Sequence, residues 1–437
     1  MKFASTRGGS PSVSISEAIR RGAAPDGGLY VPAGEVKFDP AGLDERAGLA
    51  PLGAALLAPF FEGDPLRDAL PALCAEAFDF PAPLVVPDAA DPGFRILELF
   101  HGPTGAFKDF GARFLMACFD RLGVGDDRLT VLAATSGDTG GAVGCAAKGR
   151  KSVRAVILFP RGRVSPFQQH QLGCWGEPVT ALEVDGDFDS CQRLVKAAFA
   201  DPALARAHRL TSANSINIGR LLPQMVFIAA TALRVHRETG VEPGFLIPTG
   251  NLGHAVAALW ARGLGLPVGP VVAVTNANRP LADWHRGGAY RPMPAVATLA
   301  NAMDIGAPNN FERLGEVAGR SQLMAVERVD DAAIRERIRI EHARSGTILC
   351  PHSATAVEAY RRLDPAVRAA RTWVAEATAH PFKFAEVVEP LIGETLAPPP
   401  ALAAILGLPS QARSIPATLE ALAAALDPSP AASAQAA

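Results

Sequence analysis

From Leu129 onward the chain alternates short, continuously apolar runs with glycine-bearing turns and helix-like stretches. This rhythm limits the possible folds more than any other feature. LTVLAAT leads into GGAVGCAAKG, VRAVILFP into SPFQQHQLGCW, and VTALEVDG into DFDSCQRLVKAAFADPALARA. Further on, GFLIPTG precedes NLGHAVAALWARGLG, VVAVTN follows, and TWVAEATA runs into PFKFAEVVEPLIG. Apolar runs of this kind read as strands buried on both faces. Helices between them make βαβ units and a parallel sheet, so the fold class is α/β. Right-handed crossovers place the strand-to-helix loops along one edge, where open α/β sheets bind ligands. The segment before Phe94 looks helical and irregular, with breaks at GAAPDGGLYVP, FPAPLVVP and DAADPGF, the last a boundary before the motif region. The tail PSPAASAQAA is low in complexity and is expected to be disordered.

With 437 residues the chain has room for about three domains. Lys and Arg total 42 and Asp and Glu 44, a formal charge of −2. That balance argues against nucleic acid or an anionic membrane as the main partner. There is no continuous apolar run of about 18 residues, and the polar start lacks a signal-peptide core. The six cysteines, Cys74, Cys118, Cys145, Cys174, Cys191 and Cys350, form no CxxC pair. Reduced core thiols, a cytoplasmic location and no metal site are the expectation.

Glycine-bearing segments fall at three predicted strand or turn ends. In PTGNLGHA, Gly250 and Gly253 let the backbone approach a ligand closely, and the N–H groups opening the next helix point at it. A phosphate suits that place, although an ordinary strand–turn–helix junction has the same composition. The pattern is neither a Walker A loop nor GxGxxG, so a dinucleotide is not favoured. In TSGDTGGAVG, Ser136, Asp138 and Thr139 together with N–H groups make a seat for a carboxylate, or Ser136 and Asp138 cap the helix. In HGPTGAFKDFG, Lys108 opens a helix whose apolar face carries Phe110, Phe114, Leu115, Cys118, Phe119 and Leu122. There the helix dipole and the flanking rings of Phe107 and Phe110 favour the neutral amine, the form that attacks a carbonyl. A solvated surface lysine is the plain alternative. One amine, one phosphate cradle and one carboxylate seat together match pyridoxal phosphate and an amino-acid substrate.

HGPTGAFKDFGARF, ATSGDTGGAVG, LFPRGRVSPFQQ, DGDFDSCQRLVKAAF, SANSINIGR, PTGNLGHA, NAMDIGAPNNFER and TAHPFKF occur in this order. Together they resemble the threonine synthase family, pyridoxal-phosphate enzymes of fold-type II with a tryptophan-synthase-β-like fold. The likeness covers nearly the whole chain and points to the longer form with an N-terminal domain. It implies an N-terminal accessory domain over 1–93 and a smaller cofactor domain over 94–215. A larger one would span 216–400, with a C-terminal helix and tail over 401–437. It also implies that Lys108 holds pyridoxal 5'-phosphate covalently and that Gly250, Asn251, Leu252 and Gly253 hold its phosphate, with His254 either a further cofactor contact or an exposed histidine at the helix start. Thr378 would meet the pyridine nitrogen, and Asp138 the phenolic oxygen. Leu252 and His254 depart from the family, which usually shows Phe and an acid there.

The activity implied is conversion of O-phospho-L-homoserine and water to L-threonine and phosphate. Ser136, Thr139, Ser215, Asn217 and Arg220 are the expected substrate contacts. Arg161, Arg163 and Arg113 also compete for the leaving phosphate, and Lys383 lies either near the cofactor or on the surface. Rival readings are a threonine or serine dehydratase, a phospho-lyase, or a non-catalytic protein that binds a phosphorylated ligand. The resemblance further implies a monomer.

Overall fold

The structure, a computed structural model, describes residues 1–123, 128–316 and 322–427. The tail expected to be disordered lies outside the described residues. Two short strands, β1 (Phe3–Ser5) and β2 (Tyr30–Pro32), pair antiparallel in the N-terminal region. Around them pack helices Ile15–Arg21, Leu49–Leu57 and Leu70–Ala77. Then come β3 (Leu84–Val85), β4 (Phe94–Glu98), β5 (Leu129–Ala134), β6 (Val153–Pro160), β7 (Val179–Asp185) and β8 (Leu210–Ser212). The remaining strands are β9 (Gly244–Pro248), β10 (Val271–Thr275), β11 (Ala325–Arg328), β12 (Trp373–Ala377) and β13 (Arg413–Pro416).

The strands form two larger sheets, ordered β11-β10-β9-β12-β4-β3 and β13-β7-β6-β5-β8. Every pairing is parallel except β3 with β4. β5, β9, β10 and β12 are buried along their whole length. Helices cover both faces, which is why these strands read as unbroken apolar runs rather than alternating ones.

Two expected boundaries are corrected. β4 opens the segment assigned to the smaller domain, yet it pairs with β12 in the six-stranded sheet. The C-terminal segment supplies more than a helix, because β13 extends the five-stranded sheet beside β7. Both are exchanges of strands between units distant in sequence, set by edge pairing and not by local pattern.

The Lys108–Leu122 helix forms as expected, but its burial is wider than one face. Gly111, Ala112, Met116 and Ala117 are buried along with the predicted apolar residues. It is wrapped by helices Ile15–Arg21, Leu70–Ala77, Asp138–Ala147 and Ile218–Leu221, so the N-terminal region covers what would otherwise be its solvent side. The stretch Ile218–Thr239 has a mean hydropathy of 1.3, the composition of a membrane span. Within the protein 83% of that window is buried, so its apolar surface is spent on the core. The cysteines are free thiols, all buried except the half-buried Cys145.

Candidate active site

The loops that follow β5 and β9 and the turn that precedes the Lys108 helix converge on one cleft. It encloses about 950 Å³ including its mouth. Lys108, Ser136, Asp138, Thr139 and Thr378 line it, as does the whole run Gly250–His254. The sheet edge therefore collects the three glycine-bearing loops, as the topology requires.

Lys108 sits in the first turn of its helix, with its amine 4.4 Å from the centroid of the Phe107 ring. Burial, opposed by Asp138 but assisted by Arg220 and Lys383, brings the amine down to about 8. About a tenth of the amine is then neutral at pH 7, far more than for an ordinary lysine. Phe110 does not contribute to this environment as expected. Its ring points into the core against Phe78, Phe80 and Phe227. Asp109 closes the turn: it accepts from the Thr104 amide at 2.9 Å and the Thr104 hydroxyl at 2.6 Å. A Cβ on Gly102 would stand 2.5 Å from that carboxylate, so the turn needs glycine.

Asp138 is not a helix cap. That task falls to the Thr135 hydroxyl, which accepts from the amides of Gly137 and Gly140, each at 2.9 Å. The Asp138 carboxylate instead meets the Lys383 ammonium at 2.8 Å and accepts from the Gln168 amide at 2.8 Å. Lys383 is completely buried and also donates to the Thr104 carbonyl at 2.9 Å. Burial alone would push the Asp138 carboxyl up. Lys383 and Lys108 together hold it well below the usual carboxylate range. One ammonium thus joins the Lys108 turn, the Asp138 loop and the PFKF segment.

The Gly250–Gly253 loop is held by a clamp that the motif alone did not disclose. Leu252 adopts a left-handed backbone, φ +65°, which costs a residue with a Cβ about 1 kcal/mol. Asn309 and Asn310 offset that cost. The Asn251 carbonyl accepts from the Asn310 amide and side chain at 3.2 and 3.0 Å. The Asn251 side-chain oxygen accepts from Asn309 at 3.2 and 3.1 Å. A Cβ on Gly250 would lie 3.0 Å from the Met303 backbone, so the loop can press against its neighbour only as glycine.

The arginine candidates separate cleanly. Arg220 lines the cleft, is 4% exposed, and has an Nε with no partner. Arg161 is spent on Glu183 and Asp185, and Arg113 on Asp79 and the Glu76 carbonyl. Ser215 lines the cleft, but Asn217 does not. The Asn217 amide donates to the carbonyls of Ile19 and Ser212, and its oxygen accepts from Gly219, so it caps a helix and ties down the chain. Its expected substrate contact is corrected to that structural role. His352 and Asn214 line the cleft unforeseen. Burial brings the His352 imidazole down to about 4, so it is neutral, and its Nε2 accepts from the Ala302 amide at 3.0 Å. Asn214 lies inside the SANSINIGR motif, which was the available signal; His352 carried none.

These residues fit pyridoxal phosphate: an accessible amine, a loop of free amides closed by glycines, and a buried unpartnered guanidinium nitrogen. Residues 73–378 match the family described as pyridoxal-phosphate dependent enzyme. Residues 2–78 match threonine synthase N terminus, and 353–426 match threonine synthase, C-terminal. The chain is 38% identical to the threonine synthase of Escherichia coli K12 over 97% of its length and 98% of that protein's. The chain belongs to the threonine synthase family. The threonine synthase of Serratia marcescens is likewise 38% identical, over 96% of this chain and 97% of that one. The crystal structure of the Escherichia coli threonine synthase superposes with a TM-score of 0.89, 36% identity, and coverage of 98% and 99% of the two chains. A threonine synthase from Brucella melitensis described as bound to pyridoxal phosphate superposes with a TM-score of 0.86 and 32% identity, covering 98% of each chain.

Within this threonine synthase fold the N-terminal region is tied through Arg313 and Asn310 to the Gly250–Gly253 loop. Arg313 is fully buried and has no carboxylate partner among the described residues. It donates to the Tyr30 carbonyl at 3.1 and 3.0 Å, to the carbonyls of Ser215 and Ile216 at 3.1 and 2.8 Å, and to the Asn310 oxygen at 2.7 Å. Arg313→Met leaves four buried acceptors unsatisfied. It should lower the unfolding free energy by about 3 kcal/mol and loosen cofactor binding, as read by urea unfolding and cofactor titration.

Proposed function

We propose that the cleft converts O-phospho-L-homoserine and water to L-threonine and phosphate, with Lys108 as the base that moves protons. What carries this reading is the meeting of the Lys108 amine, the Ser136–Thr139 loop and the Gly250–His254 loop in one cleft that Arg220 also lines. When bound, pyridoxal phosphate supplies an electron sink for charge developing on the substrate carbons.

The amides and glycines of residues 250–253 would hold the cofactor's phosphate. Thr378 would face the ring nitrogen with a neutral hydroxyl, and Asp138 would sit by the phenolic oxygen. Ser136 and Thr139, with the amides opening the Asp138–Ala147 helix, seat the substrate carboxylate. Lys108, whose amine lies in the cleft, would be the base that takes the α-proton. A second proton leaves the β-carbon as phosphate departs from the γ-carbon, a proton returns at the γ-carbon, and water then adds at the β-carbon. Reprotonation then completes L-threonine. Arg220 and Ser215 receive the leaving phosphate. The unpartnered Arg220 Nε has no other role among the described residues, and a buried donor of this kind costs stability unless a ligand pairs with it.

Purified enzyme loaded with cofactor should release phosphate and L-threonine in equal amounts from O-phospho-L-homoserine, with the oxygen of isotopic water in the β-hydroxyl. Ammonia and a keto acid in their place would overturn the reading in favour of a dehydratase.

A further inference from the structure

The least expected charge in the molecule lies behind the phosphate loop. Glu376, on β12, is completely buried, and its carboxylate oxygen approaches the His254 Nε2 at 2.7 Å. The ring N–H is not aligned with that oxygen, so the contact is a close electrostatic one. Among the described residues neither carboxylate oxygen, nor the His254 Nδ1, has a hydrogen-bond partner. The imidazole is stacked on Phe107 at 4.8 Å and meets the edge of Phe227 at 5.2 Å, so it cannot swing away to water. A carboxylate removed from solvent demands a cation or a proton, and His254 is what it faces.

We propose that His254 and Glu376 form a buried imidazolium–carboxylate pair at the start of the helix that follows the phosphate loop, and that this pair tightens the loop's hold on a phosphate monoester. His254 is the second residue of the Gly253–Gly263 helix and lines the cleft, whereas Glu376 stands behind it in the sheet. A cation in the first turn is opposed by the helix dipole, and Glu376 offsets that opposition. With a phosphate in the loop, the dipole and the imidazolium act on the same anion. An ion pair buried only for packing has little to recommend it, because apolar residues of the same volume do as well or better. His254 and Glu376 are thus positioning residues for the cofactor's phosphate, and this inference rests on the reading that residues 250–253 seat it.

The test uses the full-length protein stripped of cofactor and titrated separately with pyridoxal phosphate and with pyridoxal, followed by the absorbance of the bound form. Glu376→Gln keeps shape and removes charge. It should weaken pyridoxal phosphate on the order of tenfold and leave pyridoxal within about twofold. His254→Gln should do the same, and the double variant should lose no more than either single one. If Glu376→Gln does not fold, His254→Gln carries the comparison by itself. Equal loss for both ligands, or no loss for the phosphorylated one, overturns the pair's role. Wild-type protein that holds pyridoxal as tightly as its phosphate would instead overturn the assignment of the loop.

Discussion

Lys108→Ala should lower turnover on O-phospho-L-homoserine on the order of 10⁴-fold while leaving the fold intact. The side chain faces the cleft and makes no structural bond that the turn depends on. That turn is closed instead by Asp109 and Thr104. The loss would be chemical: no covalent anchor for the cofactor and no amine to carry the α-proton. Borohydride reduction of the loaded wild-type enzyme, followed by peptide mapping, should place the added mass on the peptide containing Lys108. Lys383 is the informative competitor, since it is also a lysine near Asp138. It is completely buried and bonded to Asp138 and Thr104, so it should carry no label. Label on Lys383, or unchanged turnover in Lys108→Ala, would defeat the assignment.

Lys383→Met should be the most destabilising single change near the site, lowering the unfolding free energy by about 3–5 kcal/mol. The reason is asymmetry: the variant removes one charge of a buried pair and strands the Asp138 carboxylate, which is 3% exposed. Lys108 and His352 are left to offset it, and His352 is neutral. In the wild type the Asp138 carboxyl is held below its ordinary range in the folded state, so its contribution to stability is present at neutral pH and fades only in acid. In the variant the sign reverses. Protonation of Asp138 relieves the stranded charge, so the deficit against wild type should shrink as pH falls toward 4 and grow toward pH 8. Urea unfolding at several pH values measures this. A deficit that is the same at every pH would show that lost packing, not lost charge, is responsible. The paired change Asp138→Asn with Lys383→Met should recover much of the loss.

Much of the site was legible because its chemistry is local. A glycine-rich turn before an amine, hydroxyls at a helix start and a GNLG loop after a strand each declare themselves within ten residues or so of chain. Burial of β5, β9, β10 and β12 on both faces was equally legible, since a short apolar run closed by turn residues suits a strand covered on both faces. Local reading erred, or left alternatives open, wherever one segment could serve two purposes. Asn217 sits in the right motif but is spent holding the Ile19 carbonyl. Asp138 stands where a cap belongs, yet Thr135 caps the helix. Arg161 and Arg220 are alike as letters, but one is spent on Glu183 and Asp185 and the other has a nitrogen left free inside the cleft.

By itself the chain of residues determined the α/β class, the loops that gather at the sheet edge and the lysine that lines the cleft between them. Those follow from hydrophobic periodicity and from backbone and side-chain chemistry that act over a few residues. Only the tertiary structure decided who partners whom: Lys383 with a carbonyl 279 residues away, Arg313 with Tyr30, and His254 with Glu376. Such pairings depend on strand order and on which helices cover which face. Burial then sets their strength, because a charge taken out of water must find its partner wherever the fold has put one.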